Sequence, residues 1–440
     1  MRVCSDRPDV PLSAKILAAP VQEAAEIKVM TTSIKLGGIC EMIVDCEHKT
    51  APTVEAGYPS IRTPNIGRGY FLLEDVNQVS EETYRQWTRR AVPCAGDLIM
   101  AREAPVGNVA MVPKNLHPCL GQRTLLIRPD PRKVDSRYLT YLLIGDEVQG
   151  TIHSMTNGAT VPHLNMEDVR TLELPEIPPL KIQKRIADIL SAYDDLIENN
   201  LRRIKLLEEI SRVLYREWFV KFRYPGNTKV PRVMSAIGSI PKTWDAVPFT
   251  SLAQVLSGGT PKTDNPEYWD GAIPFFTPRD APASFYVLDT GKHLTSLGVE
   301  RCASALYPPD TVFITARGTV GKIALPSVPM AMNQSCYALK GREGVSQRFL
   351  FLMTMQQVDY LKKNTGGATF ATIVVDTFSR MRVARPPSDL LERFTQHVDP
   401  MFEQIKTLSY QINNLRQTRD LLLSRLLSRH PPIAETALVA

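Results

Sequence analysis

No apolar run in the 440-residue sequence reaches 18 residues, so no segment reads as a membrane-spanning helix. The N-terminus lacks the basic-then-apolar order of a secretory signal. The seven cysteines form no CxxC pair and are odd in number. They read as reduced thiols of a cytoplasmic protein rather than as a disulfide or zinc framework. Catalytic signatures are missing as well. The nearest approach to GxxxxGK[ST] is GTVGKI from Gly318, which is too short and lies between β-type runs. No GxGxxG follows a strand, HExxH and GxSxG are absent, and the seven histidines are spread out. Pro178-Pro179 follows Ile177, so it is not the Asn-Pro-Pro-aromatic element of amino-methyltransferases.

Charge of one sign is modest too. Against 52 Lys and Arg stand 46 Asp and Glu, and a net +6 permits a polyanionic partner without demanding one. Carboxylates occur in pairs along the long helix, at Asp194-Asp195 and Glu208-Glu209. Both are expected on the outer, solvated face of a long helix rather than in an acid–base site. The residues point to binding, with no catalytic group, metal or cofactor expected in this chain.

What the sequence does contain is a long helix. After Pro178-Pro179, apolar residues fall at Ile186, Leu190, Tyr193, Ile197, Ile204, Leu207, Leu214 and Trp218, with Asn200 and Ser211 at two further seam positions. Alternating steps of three and four mark a coiled-coil seam, and buried polar residues at such a seam fix register at some cost in stability. A helix of about 40 residues is on the order of 60 Å long and needs a long partner. After Pro386-Pro387 the spacing returns at Leu391, Phe394, Val398, Met401, Ile405, Leu408, Ile412, Leu415, Leu422 and Leu426, interrupted by Arg419. The two helices are expected to pack on each other as a rod. The alternative is two unrelated amphipathic helices, each lying on its own domain.

The duplication extends beyond the helices. GDLIMAREAPVGNVAMVP from Gly96 matches PDTVFITARGTVGKIALPS from Pro309, GQRTLLI from Gly121 matches NQSCYAL from Asn333, and the stretch from Asn157 matches that from Gly366. The offset drifts only from 214 residues at Val106 and Val320 to 208 at the proline pairs. Each half pairs short β-type runs and Gly/Pro turns with one long helix, which predicts an α+β fold: two similar domains and a rod of two long antiparallel helices, related by a pseudo-twofold. The expected boundaries are an extension over 1–30, a first domain over 31–177, a helical spacer over 178–223 and a linker over 224–240. A second domain over 241–386, a second spacer over 387–430 and a tail over 431–440 follow.

The loops of both halves carry side chains suited to DNA: Arg62, Asn65, Arg68, Arg102, Gln122 and Arg123 in the first, Lys262, Arg279, Arg317, Lys322, Asn333 and Gln334 in the second. Arg, Asn and Gln can read base edges in pairs of hydrogen bonds, and Lys holds phosphates. Arg102 and Arg317 stand out because they are expected to be counterparts, an Arg kept at the same place ahead of the Val-Gly pair in each half.

Several stretches agree, in order, with one family. DCEHKTAPTVEAGYPSIRTPNIGRG with GDLIMAREAPVGNVAMV in the first half, PKTWDAVPFTSLAQVLSGGTPKTDNPEYWDGAIPFFTPRD in the second, and IPPLKIQKRIADIL at the first helix resemble specificity (S) subunits of type I restriction-modification systems. The resemblance runs from about residue 31 to 430. It implies two target recognition domains, each reading one half of a bipartite double-stranded DNA site, with the helices setting the gap. It also implies that those helices dock two methyltransferase (M) subunits, with restriction (R) subunits joining the assembly. S-adenosylmethionine, ATP and Mg2+ would then reside on partner subunits. The second repeat departs from the pattern, lacking the usual Gln near its start and carrying Pro400, where Asp399-Pro400 is expected to cap a new segment. Two rival readings remain at this stage: a scaffold with little DNA affinity, and an enzyme with an unrecognised metal site such as a stand-alone nuclease.

Overall fold

The structure, a computed structural model, describes residues 34–156, 162–226, 231–342, 344–363 and 372–427. The extension over 1–30, the tail over 431–440, part of the linker and the first residues of the Asn157 and Gly366 motifs lie outside the described residues. The chain divides into two compact units, one of residues 1–133 and 147–179, the other of residues 134–146 and 180–440.

The first unit begins with β1 (Ile34–Lys35), β2 (Cys40–Asp45), β3 (Tyr58–Ile61), β4 (Gln78–Val79) and helix α1 (Glu81–Trp87). Ser80 caps α1 by accepting from the Thr83 N–H at 3.2 Å, with Glu81 and Glu82 at the positive end of the helix dipole. Then come β5 (Leu98–Ala101), β6 (Val109–Met111), β7 (Cys119–Leu120) and β8 (Thr124–Pro129). The chain leaves the unit for α2 (Ser136–Ile144) and returns with α3 (Asp146–Ser154), α4 (Met166–Thr171) and β9 (Glu173–Leu174), which pairs with β1. One sheet has the antiparallel order β2-β8-β5-β6, and a smaller one the order β4-β3-β7, in which β3 and β7 run parallel. All four residues of β5 are buried, as the unbroken apolar run Leu98-Ile99-Met100-Ala101 requires.

The second unit carries α5 (Leu180–Tyr215), the hairpin β10 (Arg232–Ser235) and β11 (Gly238–Pro241), β12 (Asp245–Pro248), α6 (Phe249–Leu252), β13 (Ala253–Ser257) and β14 (Trp269–Phe276). It continues through β15 (Tyr286–Val287), β16 (His293–Leu294), α7 (Ser296–Glu300), β17 (Val312–Thr315), β18 (Ile323–Pro326), β19 (Ala331–Met332) and β20 (Cys336–Gly341). The chain closes with α8 (Gln347–Gln356), α9 (Val358–Lys363), α10 (Val375–Arg380), β21 (Arg382–Arg385) and α11 (Ser388–Leu427). Its larger sheet is ordered β13-β20-β17-β18-β15, its smaller one β16-β14-β19, again with a parallel pair, β14 and β19. Strand for strand, β2-β8-β5-β6 has become β13-β20-β17-β18, and β4-β3-β7 has become β16-β14-β19. The duplication is in the folding pattern as well as in the letters.

Helices α5 and α11 pack antiparallel: Asp194 meets Arg419, Asn200 meets Gln411 and Ser211 meets Met401, partner numbers falling as α5 advances. Along α5 and the turn that follows it, Leu190, Ile197, Ile204, Ser211 and Trp218 are buried at steps of seven, with Ile186 and Asn200 buried beside them and Tyr193, Leu207 and Leu214 half-buried. In α11, Leu391, Phe394, Val398, Ile405, Leu408 and Ile412 are buried, while Met401, Leu415, Leu422 and Leu426 are half-buried. Asn200 donates to Gln411 at 3.4 Å, and Ser211 satisfies its hydroxyl on the Leu207 carbonyl at 2.8 Å. At its C-terminal end α5 widens into one π turn, Arg216–Val220, which lets the adjacent Trp218 and Phe219 both turn inward onto Phe394.

Three expectations need correction. Helix α11 runs through Pro400 from Ser388 to Leu427, with no new segment at Asp399-Pro400. Pro400 faces solvent while Val398 and Phe402, on either side, are buried, so packing carries the helix past the missing donor. Asp194 is not simply solvated: it accepts from the Tyr141 hydroxyl of α2 and from Arg419, both at 2.6 Å. Glu208 is buried, with 6% of its surface exposed. Both carboxylates stand next to the seam, where neighbouring elements cover them.

Short helices α2 and α8 dock on the long ones in the same way. Asp135 and Ser346 cap them, and the second residue of each, Arg137 and Arg348, reaches across. Arg137 pairs with Asp188 of α5 at 2.7 Å; Arg348 pairs with Asp399 of α11 at 2.7 Å and with Glu403.

Candidate nucleic-acid interface

In each unit four loops are tied together at one end of the sheets. In the first unit the parallel pairing of β3 and β7 continues as a bond from the Gly121 N–H to the Ile61 carbonyl at 2.8 Å. That bond sets the turn at 121–123 beside the 3-10 turn Thr63–Asn65. The Arg102 N–H donates to the Arg123 carbonyl at 2.9 Å, adding the β5–β6 turn, and Thr50 donates to the side chain of Gln122 at 3.3 Å, adding the loop after β2. In the second unit the same bonds recur: Asn333 N–H to Phe276 carbonyl at 2.9 Å, Ala316 N–H to Ser335 carbonyl at 2.7 Å, and Thr260 to Gln334. Gly258 admits the close approach of the Asn333 carbonyl, which a Cβ would meet at 2.1 Å.

These pairings establish equivalences. Gln122 and Gln334 occupy the same place, as do Gly121 and Asn333. Asn65 and Asp280 do too, each accepting from a backbone N–H three residues back, Arg62 at 3.1 Å and Thr277 at 2.8 Å. Arg102 and Arg317 do not. Leu164 N–H donates to the Arg102 carbonyl and Ile373 N–H to the Ala316 carbonyl, both at 3.0 Å, so the counterpart of Arg102 is Ala316 and that of Arg317 is Glu103. Arg102 stands four residues before Val106, whereas Arg317 stands three before Val320. That single step in register puts one side chain inward and the other outward.

The chemistry of the two loop clusters differs accordingly. Arg102 is 14% exposed and held by Asp45 at 2.6 Å and by the Leu164 carbonyl at 2.9 Å. Arg123, in the left-handed region with φ 66°, pairs with Glu103. Asn65 is buried and donates to the Leu72 carbonyl at 3.2 Å, so it holds the loop's shape. Arg62 and Arg68 are exposed and Gln122 half-buried. Asp45, Cys46 and His48 bring one ligand atom each within 4.8 Å of one another. Asp45 is already engaged there by Arg102 and by His48 at 2.8 Å.

In the second unit the loops enclose a groove of about 880 Å³ lined by Arg279, Asp280, Lys292, Arg317, Thr319, Asn333 and Ser335, among others. Arg279 and Arg317 are exposed, and among the described residues neither has an acidic partner within salt-bridge distance. Asp280 lines the same groove, but its carboxylate is occupied by the backbone N–H groups of Thr277 at 2.8 Å and Gly291 at 3.0 Å. Lys262, Lys322 and Gln334 are exposed outside the groove lining. Lys292 was not foreseen; it follows Gly291 in the turn before β16, where a Gly-Lys pair is the available signal, and its ammonium lies 5.3 Å from the Trp269 ring centre. A concave, cationic, partly amide-lined surface of this kind suits a polyanion with hydrogen-bonding edges.

Two thiols lie buried beneath these loops. Burial pushes Cys119, next to Gly121, and Cys336, next to Ser335, up to about 12.

Residues 30–209 and 241–415 each match the profile of the type I restriction modification DNA specificity domain. Similar curated proteins include the type I restriction enzyme HindI specificity subunit of Haemophilus influenzae, 25% identical over 84% of this chain and 94% of that one. The MjaIX specificity subunit of Methanocaldococcus jannaschii is 24% identical over 81% of this chain and 82% of its own. Among solved structures, the type I restriction-modification S subunit of M. genitalium superposes with a TM-score of 0.60 at 15% identity, covering 92% of this chain and 99% of that one; it shares the fold.

Proposed function

The chain belongs to the type I restriction-modification DNA specificity family, and we propose that each of its repeats reads one half of a bipartite double-stranded DNA target. Specificity subunits recognise DNA sequence and carry no catalysis; methylation and cleavage belong to other subunits of the assembly. The observation that carries the assignment of the reading surface is the groove of the second repeat, where Arg279 and Arg317 stand beside Asn333 with no acidic partner among the described residues. Arg reads guanine and Asn reads adenine through paired hydrogen bonds in the major groove. The equivalent loops of the first repeat present Arg62, Gln122 and the Arg123–Glu103 pair, a different donor and acceptor pattern and hence a different half-site.

The helices supply the ruler. Helix α5 spans 36 residues, about 54 Å, and adjacent major-groove faces recur about every 34 Å. A packed pair of helices fixes such a distance where a flexible linker would not. The same helices present a docking surface for methyltransferase subunits. On α5, Leu196, Leu206, Ile210 and Val213 are exposed, as is Leu421 on α11, and these apolar side chains supply the contact surface in this reading. In this proposal S-adenosylmethionine, ATP and Mg2+ belong to partner subunits, and restriction subunits complete the assembly.

Co-expression with the methyltransferase subunit in a host without adenine methylation, followed by genome-wide mapping of methylated adenines, tests this reading. The expected result is a split motif, two short defined halves around a fixed gap. A stable complex that methylates nothing in sequence-specific fashion would instead favour a scaffold.

A further inference from the structure

The loop that joins the two sides of the DNA-reading groove in the second repeat is closed at its neck and gripped at its far end. At the neck, Asp280 accepts from the Gly291 N–H at 3.0 Å, so residues 280 and 291 meet on the groove wall beside Arg279 and Lys292. At the far end the chain reaches α5. One carboxylate oxygen of Glu208 accepts from the Ser284 hydroxyl at 2.6 Å and from the Phe285 N–H at 3.0 Å. The other oxygen pairs with Arg212 at 3.1 Å, and the Arg212 guanidinium lies 5.2 Å from the centre of the Phe285 ring. From Phe285 the grip passes to β15, which pairs with β18, the strand that returns from the turn bearing Arg317.

We propose that Glu208 is a positioning residue for recognition of the second half-site: it ties the helical rod to the loop whose neck Arg279 and Lys292 flank. A buried carboxylate is costly unless its lone pairs are used, and here the loop supplies the donors. The carboxylate is not repeated in the second helix. Thirty residues after Pro178 stands Glu208; thirty after Pro386 stands Arg416, which cannot accept a hydrogen bond. The proposal rests on the groove being the reading surface.

The test uses the full chain co-expressed with its methyltransferase subunit and the adenine methylation map as readout. Glu208→Ala removes the acceptor, and discrimination at positions of the second half-site falls by about tenfold, the scale of one lost hydrogen bond to a charged group. The first half-site and the gap stay unchanged. Glu208→Gln keeps an amide oxygen to accept from both Ser284 and Phe285, and it retains the parent motif. Ser284→Ala, which alters no helix residue, gives a smaller relaxation on the same side and serves if Glu208→Ala fails to assemble. Equal relaxation of both half-sites, an unchanged motif in Glu208→Ala and Ser284→Ala, or equal damage from Gln and Ala overturns the proposal. Arg279→Ala with Arg317→Ala separates it from the reading beneath it. If that pair leaves the motif intact, the groove is not the reader, whatever the Glu208 variants do.

Discussion

Arg419 of α11 donates to one oxygen of Asp194 in α5 at 2.6 Å, and the Tyr141 hydroxyl of α2 donates to the other at the same distance. Three helices from distant parts of the sequence therefore meet on one carboxylate. Burial first, and then the charge of Asp194, hold the Tyr141 phenol above its ordinary range, so it remains a donor throughout the accessible pH range. Arg419 interrupts the apolar seam because its partner stands opposite.

Arg419→Ala leaves Asp194 without its cation in a half-buried site. Fully buried pairs cost about 3–5 kcal/mol to break in this way; with Asp194 37% exposed, about 1–3 kcal/mol is expected. Removing both charges while keeping an acceptor for the Tyr141 hydroxyl, Asp194→Asn with Arg419→Met, costs less than Arg419→Ala alone. Thermal melting of the complex with the methyltransferase subunit ranks the two variants against the parent.

Arg102 and Arg317 give opposite outcomes. Arg102→Ala removes one of the two partners of Asp45 and the tie to the Leu164 carbonyl, so it lowers the melting temperature of the protein and weakens methylation at all sites alike. Arg317→Ala leaves stability unchanged and relaxes one position of one half-site by about 1–3 kcal/mol in discrimination. Melting curves and the methylation motif of each variant check both.

The sequence made the architecture readable and the reading surface only partly so. Heptads and twin proline pairs survive duplication because a seam tolerates few substitutions, and the β5–β6 and β17–β18 hairpins keep their Val-Gly turns because those glycines need positive φ, 80° and 84°. Which arginine faces outward depends on a one-residue step between Arg102 and Arg317, and a step of one reverses a strand-end side chain. Glu208 resembled any solvated glutamate, because the donors that bury it come from a loop 76 residues away. Pro400 was legible as a breaker but not as one tolerated on an outer face.

Thiol chemistry reports on the same loops. Cys94 is exposed, whereas burial pushes Cys119 and Cys336 up to about 12. A thiol raised in this way favours the folded state below the unfolded thiol pKa, near 8.5, and forfeits that contribution as pH rises through about 12. At pH 8 a thiol reagent is expected to label Cys94 readily and to reach Cys119 and Cys336 only in denaturant, as peptide mass mapping of labelled protein would report. Labelling of Cys119 without denaturant would contradict the packing described under Gly121.

The most direct measurement of the central claim, two independent readers on one ruler, removes a matched heptad from both helices. Residues 197–203 of α5 and 408–414 of α11 face each other around the Asn200–Gln411 contact, and their joint deletion shortens the pair by about 10 Å while keeping the seam in phase. The methylation map of the shortened chain, complexed with its methyltransferase, is predicted to show both half-sites unaltered around a shorter gap. An altered half-site sequence, or the parent gap retained, would contradict it.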